Sequence, residues 1–162
     1  MVYIKDKHSY NSYKKGYKDM VENKTGFESI PTGTEKILIV DDEERSVSIM
    51  KVILERLGYN VTAMTSSLEA MELFKKDPHR FDLLLSDLIT PQLSGDNLVS
   101  EIIKIRPDMP VIITSGFTDT IVNDNFKQIS NKAFIPKPFQ PQELAKTVRQ
   151  VLDRNVLRKP DL

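Results

Sequence analysis

The 162-residue chain has no cysteine and only two histidines, His8 and His79, far apart in sequence. Without cysteine there is no disulfide scaffold, no thiolate nucleophile and no Cys-based zinc site. Two distant histidines leave little material for a His-rich metal site or a His-based triad. An excess of one charge is also missing: 23 Lys and Arg balance 23 Asp and Glu. No whole-protein field therefore draws the chain to nucleic acid or to an anionic membrane. Long apolar runs are absent too. Runs such as Ile37 to Val40 and Leu83 to Leu85 fall far short of the ~20 residues a membrane helix needs. The N-terminus has no apolar core of a secretory signal, and the expected location is the cytoplasm.

What remains is a composition of 40% apolar and 28% charged residues, normal for a globular protein. The length suits one domain with a real core and is too short for two ordinary ones.

The chain divides near residue 35. Residues 1–35 are polar without a sustained period, and carry Tyr3, Tyr10, Tyr13 and Tyr17 among several lysines. Pro31-Thr32-Gly33-Thr34 closes them as a turn or linker signal. The plain reading is a mobile leader. The sharper one is a docking segment, because adjacent Tyr and Lys can grip a partner. Residues 36–153 are patterned, and 154–162 form a short polar tail.

In the patterned region, Ile37 to Val40 reads as a strand buried on both faces. Val47, Met50, Ile53, Leu54 and Leu57 recur at helical spacing, and Gly58 stops that helix. Asn60 to Met64 is a second strand. Ser66 or Ser67 caps the next helix, which ends before Pro78. Phe81 to Ser86 is a third strand, Asn97 to Ile105 a helix, and Pro110 to Thr114 a fourth strand. A poorly patterned helix follows over roughly Thr120 to Gln128. Lys132 to Pro136 is a fifth strand, and Gln142 to Asp153 the last helix. Strands alternating with helices predict an α/β fold with a parallel sheet covered on both faces. Right-handed crossovers make it a flavodoxin-like, doubly wound (βα)5 three-layer sandwich with strand order 2-1-3-4-5. Reactive residues belong at the carboxyl edge of that sheet.

The strand ends supply Asp41, Asp42 and Glu43 after strand 1, Asp87 after strand 3, Ser115 after strand 4 and Lys137 after strand 5. Clustered carboxylates raise one another's pKa, and a hard divalent cation relieves that repulsion. Mg²⁺ takes one or two carboxylates and keeps several waters. Asp42 and Asp87 are the natural direct ligands, with Asp41 holding a metal-bound water. An Asp carboxylate is also a competent nucleophile towards phosphorus. Lys137 supplies a mobile positive charge, and Ser115 a hydroxyl donor to a phosphoryl oxygen.

The motifs ILIVDDEE, DLLLSDLITPQLSG, PVIITSG and KPF, in this order and each at a strand end, resemble the receiver domain of bacterial two-component response regulators. The resemblance covers roughly residues 36–153. It implies that Asp87 is phosphorylated by a phosphohistidine on a sensor histidine kinase or phosphotransfer protein. It implies that Asp41, Asp42 and Asp87 bind Mg²⁺ together with the backbone carbonyl of Ile89. It further implies that Ser115 and Lys137 read the phosphoryl group, and that the Lys137–Pro138 bond is cis.

Several positions depart from the family's habits. Thr90 stands where methionine is common, and Ser115 where threonine is. The aromatic that changes rotamer on activation falls on Phe134, which has no hydroxyl. Ile89 and Phe117, each two residues past a key residue, are apolar and cannot orient an attacking water, so self-dephosphorylation is expected to be slow. No turnover of an external substrate is expected, because an aspartyl-phosphate hydrolase would carry a second acid where Ile89 stands.

Taken singly, each site residue has a plainer reading. Asp41 and Asp42 suit a helix cap, Asp87 a turn, and Lys137 an ordinary loop. Gly95 reads as a turn glycine of positive φ. Three other functions stay open: an interaction module that needs no phosphate, an aspartyl-phosphate hydrolase, and a flavin-binding protein disfavoured by its acidic first turn. The nine residues after Asp153 are too few for a DNA-binding domain. The chain then reads as a stand-alone regulator, or as the receiver end of a hybrid kinase.

Overall fold

A computed structural model describes residues 30–116, 129 and 131–156. The elements in chain order are β1 (Lys36–Val40), α1 (Glu44–Arg56), β2 (Asn60–Met64), α2 (Ser67–Lys76), β3 (Leu83–Asp87), α3 (Gly95–Ile105), β4 (Val111–Ser115), β5 (Lys132–Pro136) and α4 (Pro141–Val156). The helix expected near 120–128, Phe117, and residues 1–29 of the leader lie outside the described residues.

The five strands pair in parallel in the order β2-β1-β3-β4-β5, as the alternating pattern predicts. Side chains of a strand alternate between faces, so each apolar run feeds two cores. Ile37, Ile39, Leu83, Leu85 and Ile112 pack under α1 and α4. Leu38, Val40, Leu84, Val111 and Ile113 pack under α2 and α3. That division produces the three layers. Each fully buried Leu or Ile contributes roughly 1.5–3 kcal/mol relative to exposure.

Local signals set the helix ends. Gly58, at φ 97°, follows α1, with Gly58 N donating to Glu55 O and Tyr59 N to Leu54 O. This paired closure needs a left-handed residue, which glycine provides. Of the two candidate caps of α2, Ser66 does the work: its Oγ accepts from Glu69 N at 3.3 Å. Ser67 Oγ instead donates to Pro91 O, tying the start of α2 to the loop after β3.

Two expectations change and one boundary shifts. β3 starts at Leu83, two residues later than expected, and ends on Asp87. Gly95 has no positive φ; it is the buried first residue of α3. A Cβ there would collide with the Asp87 carbonyl oxygen and lie 2.9 Å from the Asp87 carbonyl carbon. Glycine is required for close backbone approach, not for a turn. Residues 30–35, placed with the leader, are held against the domain. Gly33 N donates to Leu57 O, Ile30 packs on the α1/α4 core, and Glu35 pairs with Arg149 of α4 at 2.7 Å.

Candidate functional site

The sheet register sets the site. Val40 lies opposite Ser86, Asp87 opposite Thr114, and Ser115 opposite Pro136. The residues following these positions therefore meet at one edge although they come from four strands. Leu88 N donates to Thr114 O, and Lys137 N to Ser115 O, which extends the ladder one step past the strands.

Asp41, Asp42 and Asp87 each offer a carboxylate oxygen within 4.8 Å of the others. Asp41 and Asp87 are buried and Asp42 is exposed. Lys137 reaches in from the other side of Asp87. Its Nζ lies 2.6 Å from Asp41 Oδ2 and 3.1 Å from Asp87 Oδ1, and its side chain is buried. The Lys137–Pro138 bond is cis.

Backbone donors fix the carboxylates. Glu43 N donates to Asp41 Oδ1 at 2.9 Å, and Ile89 N to Asp87 Oδ2 at 3.3 Å. Each is the local turn that an Asp side chain makes with its own backbone two residues on. Asp41 and Asp42 do not cap α1: the N-cap position is Glu43, which makes no side-chain cap bond. The loop after Asp87 is pinned as well. Gly95 N donates to Leu88 O, and Thr90 Oγ1 to Leu93 O at 2.6 Å. The hydroxyl of Thr90 thus has a defined task at the position where a thioether was the family habit.

The electrostatics follow from burial. Desolvation pushes the Asp87 carboxyl above its ordinary value, the nearby Asp41 charge adds to that, and Lys137 opposes it. Glu43 is also raised, by burial first and by Asp41 second. Burial favours the neutral form of Lys137, but the two facing carboxylates outweigh it and hold the ammonium above its ordinary value. Three carboxylates against one ammonium leave two negative charges, the charge one divalent cation would balance. The donor set is all oxygen, which suits Mg²⁺. Glu43 Oε2, next to this group in sequence, is buried and has no hydrogen-bond partner among the described residues.

Ser115 is buried at the end of β4, and Phe134 is half-buried on β5 opposite Ile113. Ile89 is exposed beside Asp87. Sequence reasoning placed Glu43 among the acids but gave it no task, and it missed Arg106. That buried guanidinium donates from Nη1 to the carbonyls of Phe81 and Pro78, closing the end of α3 onto the turn before β3.

Comparison with known proteins gives a consistent result. The sequence model of the response regulator receiver domain matches residues 37–149. A sensor kinase, CckA of Brucella abortus, is 30% identical over 76% of this chain and 13% of its own length. A probable transcriptional regulator, ycf27 of Porphyridium aerugineum, is 32% identical over 74% of this chain and 49% of its own. The chain thus spans half or less of these curated relatives. Among solved structures, a receiver domain from Clostridium thermocellum superposes with TM-score 0.70 at 31% identity, covering 77% of this chain and 99% of the other. A CheY-like receiver domain from Methanospirillum hungatei superposes with TM-score 0.69 at 29% identity, covering 78% and 100%. Among the described residues, no helix is long and apolar enough to cross a membrane.

Proposed function

The chain belongs to the response regulator receiver domain family, and on that premise we propose that it is a phosphorylation-controlled switch in which Asp87 accepts a phosphoryl group from a phosphohistidine. The observation that carries this reading is the meeting of Asp41, Asp42 and Asp87 with a buried Lys137 that bridges two of them.

In the transfer, a carboxylate oxygen of Asp87 attacks phosphorus. The O–P bond forms as the N–P bond of the donor breaks, and the electron pair leaves with the imidazole, which takes up a proton. Asp42, Asp87 and the Ile89 carbonyl would hold Mg²⁺, with Asp41 beside them. The ion supplies charge neutralisation for the crowded carboxylates and the phosphoryl oxygens. Lys137 is already within 3.1 Å of Asp87, so it reaches a phosphoryl oxygen on that residue with a small side-chain movement. Ser115, one strand over, supplies a hydroxyl to the same group. Drawing Ser115 inward changes the space behind it, into which the half-buried Phe134 ring can turn. The surface of β4 and β5 then differs between the two states, and partners that prefer one state shift the population.

The site is built to hold the phosphoryl group and not to turn over external substrates. Ile89 occupies the place of a second acid and offers no group to activate water. Purified histidine kinases, autophosphorylated with radiolabelled ATP, test the reading. A cognate kinase should pass label to the wild type in the presence of Mg²⁺ and not to Asp87→Asn. Equal labelling of both proteins would reject the acceptor, and failure of every kinase of the source organism would reject phosphohistidine as the donor.

A further inference from the structure

We propose that Glu43 is a fourth acid of this site, a positioning residue that holds the water shell of the bound Mg²⁺ and so sets its affinity. The proposal rests on the Mg²⁺-dependent reading above and assigns within it a residue that the acidic triad leaves out.

Glu43 stands between β1 and α1, with extended backbone at φ −90° and ψ 107°. Short polar side chains such as Ser, Thr, Asp or Asn cap a helix from that position, and the longer glutamate is not among them. Glu43 makes no such bond, so its carboxylate is not engaged by the helix end. Its Oε2 is nonetheless buried and without a hydrogen-bond partner among the described residues. Buried acceptors are almost always paired, and an unpaired one in a native fold points to a missing water or ion. Glu43 is close enough to Asp41, Asp42 and Lys137 to feel their charges, so waters on an ion held there are the donors we assign to it.

The neighbouring acid is already engaged. Asp41 Oδ1 accepts from Glu43 N at 2.9 Å, and Asp41 Oδ2 from Lys137 Nζ at 2.6 Å. Each of its oxygens has a protein donor, whereas Glu43 Oε2 has none. Each Asp41 oxygen keeps a second lone pair for a metal-bound water, and Glu43 Oε2 adds a further acceptor for the same water shell with no protein donor to displace. The close group of ligand atoms contains Asp41, Asp42 and Asp87 and does not include Glu43. Glu43 is thus placed to act through water, not by direct coordination. Mg²⁺ dehydrates reluctantly and keeps several waters, each an O–H donor that an outer carboxylate can accept.

The test is calorimetric titration of MgCl₂ into chelator-treated full-length protein, comparing wild type, Glu43→Ala, Glu43→Gln and Glu44→Gln. Glu44 is exposed in the first turn of α1 and controls for the loss of a nearby negative charge. Outer partners of metal sites typically change affinity by tenfold or more, so Glu43→Ala should weaken Mg²⁺ binding by about tenfold. Glu43→Gln keeps an acceptor oxygen and should lose less. Glu44→Gln should stay within about twofold, because an exposed charge is largely screened. Thermal unfolding of the metal-free proteins checks that each is folded; if Glu43→Ala is not, Glu43→Gln against Glu44→Gln decides. Wild-type binding with Glu43 variants no weaker than Glu44→Gln would overturn the assignment and leave the broader reading standing. A wild type that binds no Mg²⁺ would overturn both.

Discussion

Lys137 and Asp41 are 96 residues apart in sequence, and their side chains meet at 2.6 Å inside the protein. The same ammonium reaches Asp87 at 3.1 Å. One cation thus stands where a phosphoryl group on Asp87 would need a positive neighbour, and in its absence it offsets two buried carboxylates. Removing it leaves both without that partner. Lys137→Met should destabilise the metal-free protein by about 3 kcal/mol, since breaking a buried ion pair from one side leaves uncompensated charge. Added Mg²⁺ should recover part of the loss. Denaturant unfolding with and without Mg²⁺ measures both.

The crowding of acids has a pH signature. Asp87 titrates above its ordinary value, chiefly through burial and then through Asp41. Between the unfolded carboxyl pKa of about 4 and the raised folded value, the native state binds more protons than the unfolded state. Stability contributed by this group therefore falls as pH rises through that window. Metal-free Asp87→Asn should be more stable than wild type at neutral pH, with the difference fading below about pH 4. Unfolding midpoints over a pH series give the comparison.

Gly95 links the helix after the acceptor to the acceptor's own backbone. A methyl group there would press on the Asp87 carbonyl. Gly95→Ala should cost about 1–3 kcal/mol, as overpacking does. It should also weaken Mg²⁺ binding, because the displaced backbone carries Asp87 and Ile89. Chemical denaturation and a Mg²⁺ titration on the same variant report the two effects.

At the opposite end of the sheet, Arg149 ties residues 30–35 to α4. Its guanidinium donates to Glu35 Oε1 at 2.7 Å and to Asp153 Oδ1 at 2.8 Å. Burial alone would raise the Glu35 carboxyl, but the hydrogen bond and charge of Arg149 outweigh it and lower it. The pair's contribution is therefore present above the unfolded carboxyl pKa and lost as pH falls through the lowered value. Arg149→Met should cost about 1 kcal/mol, less at high salt, since the pair is partly exposed. The Gly33 amide, bonded to Leu57 O, should exchange faster in the variant. Hydrogen exchange read at Gly33 checks this.

The fold was legible because its signals are local. Ile37 to Val40 and Leu83 to Leu85 are too short for helices and too apolar for exposed strands, and α1 carries its apolar stripe at helical spacing. The acidic pair, Asp87, Ser115 and Lys137 were legible because parallel strands bring their carboxyl ends to one edge. What the sequence hid depends on tertiary neighbours. Gly95 looks like a turn glycine until the Asp87 backbone is seen against it. Glu43 looks like one more helix-end acid until its oxygen is found buried and unpaired. Arg106, just past the end of α3, and Arg149, on α4, look like ordinary charged residues; their partners lie 25 and 114 residues away.

The central claim is that Asp87 is the phosphate acceptor. Intact-mass spectrometry tests it most directly, with the protein incubated with MgCl₂ and a small phosphodonor such as acetyl phosphate. Wild type should gain one phosphoryl group, lose the gain when Mg²⁺ is chelated beforehand, and release it only slowly after the donor is removed. Asp87→Asn should show no adduct. An adduct of equal yield on Asp87→Asn, or none on the wild type with this donor, would contradict the account.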